Sequence, residues 1–111
     1  MMRITIEELE NYLESNYSGF NDQSLFMKLI EEVGEVAEVL NKLSGRKLSE
    51  DTDLKDQLGN ELADVIHYAV GIAAVNGINL NKVILEKDKI ATKKYNRAVN
   101  LEEYIKNIRN K

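Results

Sequence analysis

The chain has 111 residues, no cysteine and a net charge of −4, which suits one compact domain over residues 1–111 and excludes a disulfide framework, a thiolate nucleophile and a cysteine-ligated metal. An acidic domain with two phenylalanines and no tryptophan argues against general nucleic-acid binding. The opening MMRITIEELENYLESN lacks the apolar core of a signal peptide, and the longest apolar run is too short and interrupted to span a bilayer, so a cytoplasmic protein with no membrane partner is expected.

Proline is absent and strong helix formers dominate, so helix is the default. Thr5, with Glu8 three residues on, has the capping-box pattern and opens a helix to about Asn16, broken by YSGF. Asn21 or Asp22 can cap a second helix, whose apolar positions Phe26, Leu29, Ile30, Val33, Val36, Ala37 and Leu40 recur at helical spacing. After the polar connection LSGRKLSEDTD, a third helix starts near Asp53 and ends at Gly77, a plausible glycine stop. Asn79 caps a fourth helix to about Tyr95, and Asn100 with Glu103 opens a short fifth. There is no repeat, low-complexity tract or strand-like alternation, which predicts an all-α bundle of four to five helices.

The third helix carries LADVIHYAVGIAAV, residues 62–75, in which eleven of fourteen residues are apolar and Asp64 is the one charge. Its apolar side chains cover most of the helical circumference, leaving an arc of Glu61, Asp64, Tyr68 and Gly71 bordered by His67. A helix apolar nearly all round is a buried one. The few other helices of so small a chain can hardly cover it, which predicts a homo-oligomer, a homodimer or homotetramer that completes its core between subunits. An ionised Asp64 in such surroundings needs a partner.

The second helix offers partners in EEVGEVAE. Its apolar stripe is centred near Val33 and Leu40, with Glu32 beside the stripe and Glu35 one step farther out, while Glu31 and Glu38 point away. Glu32 and Glu35 are three apart, as are Glu61 and Asp64, so each pair projects from one side of its helix. If the two helices pack antiparallel, the pairs converge, and four converging carboxylates cannot all stay ionised at neutral pH without a cation. Hard oxygen donors favour Mg²⁺ or Mn²⁺. Against this stands the ordinary behaviour of glutamates on a helix flank, which is to form a solvated face.

EEVGE followed 25 residues later by ELAD resembles the EExxE…ExxD signature of MazG-like nucleoside triphosphate pyrophosphohydrolases, members of the all-α NTP pyrophosphatase superfamily. The resemblance runs from about Leu25 to Tyr95, supported by KLIEEVGEVAEVL, NELADVIHYAVGIAAVNGINL and LEKDKIATKKY. It implies Glu32, Glu35, Glu61 and Asp64 as Mg²⁺ ligands (Mn²⁺ substituting), with Glu31 and Glu35 as catalytic carboxylates, Glu31 serving a further metal or the attacking water. The implied substrate is a nucleoside or deoxynucleoside triphosphate, cut between the α and β phosphates to a monophosphate and pyrophosphate, in nucleotide-pool house-cleaning. Lys87 and Lys94, seven apart on one face of the fourth helix, match basic positions of the family and would meet the phosphates, as would Tyr68, one turn past Asp64. Ala91 stands where many relatives have asparagine, and Asn96 where proline is common.

Two other readings follow from the same residues. Asp64-x-x-His67 is similar to half of the carboxylate-x-x-histidine element of di-iron bundles, although that element uses glutamate and appears twice. A non-catalytic helical interaction module is the third reading. An intact acidic quartet beside an apolar helix argues against it, because unused carboxylates there only lower stability.

Overall fold

Five helices and no strand form among the described residues, 1–50 and 52–110 of a computed structural model. They are α1 (Ile6–Asn16), α2 (Asp22–Leu43), α3 (Leu54–Val75), α4 (Leu80–Lys94) and α5 (Leu101–Arg109).

Side-chain caps set where four of them begin. Thr5 Oγ1 accepts from the Glu8 N–H at 3.1 Å, and Glu8 Oε1 accepts from the Thr5 N–H at 2.8 Å, completing the reciprocal box at α1. Asn21 caps α2 through the Ser24 N–H at 2.8 Å, and Asn79 caps α4 through the Lys82 N–H at 3.1 Å. Asn100 and Glu103 repeat the box at α5. α3 differs, because Asp53 makes no such cap bond and accepts instead from the Gln57 side-chain amide at 2.8 Å.

Two helices stop by the same device. At the end of α3, the Ile78 N–H reaches the Ala73 carbonyl at 3.0 Å while Gly77 takes φ +67°. At the end of α4, the Arg97 N–H reaches the Thr92 carbonyl at 3.0 Å while Asn96 takes φ +54°. Each left-handed residue returns orphan carbonyls to partners, a role open to glycine and asparagine. Proline, fixed near φ −65°, could not occupy position 96 in this turn.

The chain divides into two compact units, Met1–Ile78 and Asn79–Lys111. In the first, Asp22 at the start of α2 meets Asn76 just past the end of α3, with Asn76 Nδ2 3.4 Å from Asp22 Oδ2. Farther along α2, Glu35 meets Glu61 near the start of α3, so the two helices run antiparallel. α1 packs on α3, where Gly71 leaves room for the Tyr17 ring: a Cβ there would sit 3.4 Å from Tyr17 Cε2. Leu13, Leu25, Val39, Val70, Ala73 and Ala74 form the buried core.

That core corrects one expectation and localises another. The stripe through Val33 and Leu40 is half exposed, whereas the inward line of α2 runs through Leu25, Glu32 and Val39. α3 is buried only over its C-terminal half, and Leu62 and Ile66 remain 44% and 52% exposed within one chain. Length explains the second point. α1 has 11 residues against 22 for α3, so it spans about half of α3 at roughly 1.5 Å per residue.

In the second unit, Asp88 ties α4 to α5. Its Oδ2 accepts the Leu101 N–H at 2.6 Å, its Oδ1 lies 3.8 Å from the Arg97 guanidinium, and Lys89 pairs with Glu102 at 3.4 Å. No single helix among the described residues is long and apolar enough to cross a membrane.

Candidate metal centre

Leu25, Glu32 and Val39 succeed one another at two-turn intervals, so a glutamate occupies the α2 line that faces α3. Across from it α3 presents Glu61. Both side chains are half buried, and Glu32 Oε2 and Glu61 Oε2 are shut away from solvent with no hydrogen-bond partner. Glu32, Glu61 and Asp64 each offer one carboxylate oxygen, and these atoms lie within 4.8 Å of one another. Buried polar atoms are normally satisfied, and two unpaired carboxylate oxygens facing a third acid are an arrangement that a positive charge would stabilise. The donors are all hard oxygens, so this acidic cluster can hold a metal ion.

Electrostatics point the same way. Hydrogen bonding with Glu35, then with Glu32, together with desolvation, pushes the Glu61 carboxyl up to about 7. Neighbouring carboxylates this close share a proton because they cannot all ionise.

The structure alters one part of the sequence picture. Asp64 is exposed, since its neighbours Leu62, Ala63 and Ile66 are themselves exposed in the single chain and provide no low-dielectric shell. The desolvated acids are Glu32 and Glu61. Glu35 is brought to Glu61 from the exposed edge, so all four carboxylates of the two motifs converge. Glu31 is exposed and pairs with Lys28, Nζ to Oε2 at 3.4 Å. That hydrogen bond is the main cause holding Lys28 above its ordinary pKa, with Tyr68 and Glu32 adding to the field at its ammonium. Glu38, pointing outward as expected, pairs with Lys47.

Tyr68 is half buried one turn beyond Asp64, its ring edge-to-face with His67 at 4.9 Å between centroids. His67 Nε2 is engaged by the Tyr17 hydroxyl at 2.6 Å, and no histidine joins the acidic cluster among the described residues. Tyr17 in turn packs edge-on against Phe20. No local pattern foretells a contact between residues fifty positions apart, whereas Lys28, four residues ahead of Glu32, carries a spacing signal that the acidic motif overshadows.

Lys87 and Lys94 belong to the second unit, where both are exposed and Lys94 Nζ stands 5.4 Å from the Tyr95 ring centroid. A hollow of about 630 Å³ there is lined by Lys89, Lys93 and Arg97 together with Thr92, Asn96 and Asn100, and by neither of the expected lysines.

Residues 20–101 match the model of the MazG nucleotide pyrophosphohydrolase domain. The crystal structure of iMazG from Vibrio DAT 722 (Ntag-iMazG) is similar, at 32% sequence identity and a TM-score of 0.65, covering 85% of this chain and 100% of that one. No curated protein matches the chain. The matched segment holds both acidic pairs and the helices that carry them, and the chain belongs to the MazG nucleotide pyrophosphohydrolase domain family.

Proposed function

We propose that residues 1–111 form a single MazG-like domain acting as a Mg²⁺-dependent nucleoside triphosphate pyrophosphohydrolase, with Mn²⁺ able to substitute, in cytoplasmic nucleotide-pool house-cleaning. The observation that carries this is the pair of solvent-shielded, unpartnered oxygens, Glu32 Oε2 and Glu61 Oε2, facing Asp64. Glu32, Glu61 and Asp64, with Glu35 adjoining, would hold the divalent cation. When bound, such a cation neutralises phosphate charge and polarises a phosphoryl oxygen.

The chain's own groups do the rest. Glu31 and Glu35 orient water toward the α phosphorus and take up its proton. The water oxygen bonds to the α phosphorus, the bond from that phosphorus to the α–β bridging oxygen breaks, and its electron pair leaves with pyrophosphate. Tyr68 can donate its phenolic hydrogen to a phosphate oxygen, and Lys87 and Lys94 serve the leaving pyrophosphate. No covalent nucleophile is required, in keeping with a chain that has no cysteine. The exposed apolar side chains Val33, Leu40, Leu62 and Ile66 support assembly as a homodimer or homotetramer that covers them.

Hydrolysis of a panel of nucleoside triphosphates in ¹⁸O-labelled water tests the reading. The expected products are pyrophosphate and a labelled monophosphate, with no diphosphate and no free phosphate. Label in pyrophosphate would place the attack on the β phosphorus, and no turnover with Mg²⁺ or Mn²⁺ would favour a non-catalytic interaction module.

A further inference from the structure

The trough between antiparallel α2 and α3 is layered along its length. Glu35 and Glu61 meet at one end, and Glu32 with Asp64 follows next to them. One turn beyond Glu32 on α2 comes Lys28, and one turn beyond Asp64 on α3 comes Tyr68. A four-residue step advances about 6 Å along the axis and stays on one side of the helix, so Lys28 lies in line with the carboxylates rather than around the helix from them. Among the described residues its ammonium pairs with Glu31, at 3.4 Å, with the two side chains 57% and 60% exposed. A surface pair at that distance contributes little and is screened by salt, so it exchanges readily for a denser negative charge.

A polyphosphate docked on the carboxylates through a cation extends its remaining phosphoryl groups along the trough. The direction away from Glu35 and Glu61, past Glu32 and Asp64, leads to the Lys28 ammonium and the Tyr68 phenol. We propose that Lys28 is a triphosphate-binding residue, whose ammonium leaves Glu31 for a phosphate oxygen when the nucleotide binds and thereby frees the Glu31 carboxylate. The assignment rests on the pyrophosphohydrolase reading and adds to it a contact from the first unit, with Glu31 acting as the resting partner of the lysine.

The test uses inorganic triphosphate as the probe, titrated calorimetrically into the full chain at saturating Mn²⁺, alongside the kinetics of nucleoside triphosphate hydrolysis. Lys28→Ala should weaken triphosphate binding about tenfold, the scale of one charge-assisted hydrogen bond, and raise KM in parallel. Lys28→Arg should bind within about threefold of wild type. Glu31→Gln, which lets go of the lysine in advance, should bind the probe more tightly than wild type. The Mn²⁺-induced rise in melting temperature should be the same in Lys28→Ala as in wild type, since the lysine holds no metal. A wild type that turns over nucleotides while folded Lys28→Ala keeps the same KM and the same triphosphate affinity overturns the Lys28 assignment alone. A wild type that neither binds the probe nor hydrolyses any triphosphate overturns the enzymatic reading and the assignment with it.

Discussion

Tyr17 Oη and His67 Nε2 lie 2.6 Å apart, a hydrogen bond that fastens the end of α1 to the middle of α3. With the phenol donating, the imidazole keeps its proton on Nδ1, and the ring is held edge-on to Tyr68 beside the acidic trough. Burial is the first cause raising the Tyr17 pKa, so the phenol keeps its proton across the neutral range.

Tyr17→Phe removes this one bond and leaves the ring on Gly71. It should lower stability by about 1 kcal/mol in urea denaturation, the usual net worth of such a bond. Gly71→Leu should do more harm, since its Cβ would already stand 3.4 Å from the Tyr17 ring and the rest of the side chain must displace it.

Stability should depend on pH through Glu61. Its folded pKa, about 7, lies above the ordinary 4.5, so the folded state holds a proton that the unfolded state gives up. Metal-free protein is therefore favoured below about pH 4.5 by this group, and that contribution is lost as pH rises through 7. Melting temperature without metal should fall as pH rises from about 5 to about 8, across the interval between 4.5 and about 7 and about one unit past it, and Glu61→Gln should flatten the slope. Glu8 and Glu38 are shifted downward by hydrogen bonds from Thr5 and Lys47, so their contributions run the other way, at lower pH.

Divalent metal should reverse the loss. At about a hundredfold excess over Kd, Mn²⁺ or Mg²⁺ adds roughly 2.7 kcal/mol, or about 10 °C in melting temperature for a domain of this size. Asp64→Asn should fold normally, because Asp64 is exposed, yet lose most of that increment. An undiminished metal response in Asp64→Asn would remove Asp64 from the ligand set.

Light scattering at micromolar concentration should return at least twice the chain mass of 12.7 kDa. Val33→Glu with Leu40→Glu, placed on a face half exposed in the single chain, should shift the protein toward monomer. A wild type that stays at the monomer mass would show that this face goes uncovered.

Helix boundaries were legible because caps are local: Thr5 with Glu8, Asn21, Asn79 and Asn100 with Glu103 each act within three residues of themselves. The acidic pairs were legible for the same reason, as three-residue spacings on two helices. Which side of α2 faces inward was not. Leu25 and Val39 compete with Val33 and Leu40 as apolar lines of one helix, and only the arrival of α3 decides between them. The roles of Glu61 and Asp64 were exchanged for a related reason. An apolar neighbourhood in sequence shields a charge only when something covers it, and within one chain Leu62 and Ile66 are bare. The Tyr17–His67 bond depends wholly on tertiary packing.

The place of Glu32, between Leu25 and Val39 on the inward line, sets heat resistance and chemistry against each other. Leucines at 32 and 61 together would fill the gap with matched apolar surface and remove both stranded oxygens, giving a tougher molecule without the acidic cluster. A randomised library sorted for survival after heating, with neither metal nor nucleotide present, should enrich apolar residues at these two positions. If the proposed activity resides there, the same library sorted on turnover should return acids, so thermal selection applied alone would breed the acidic cluster out of this fold.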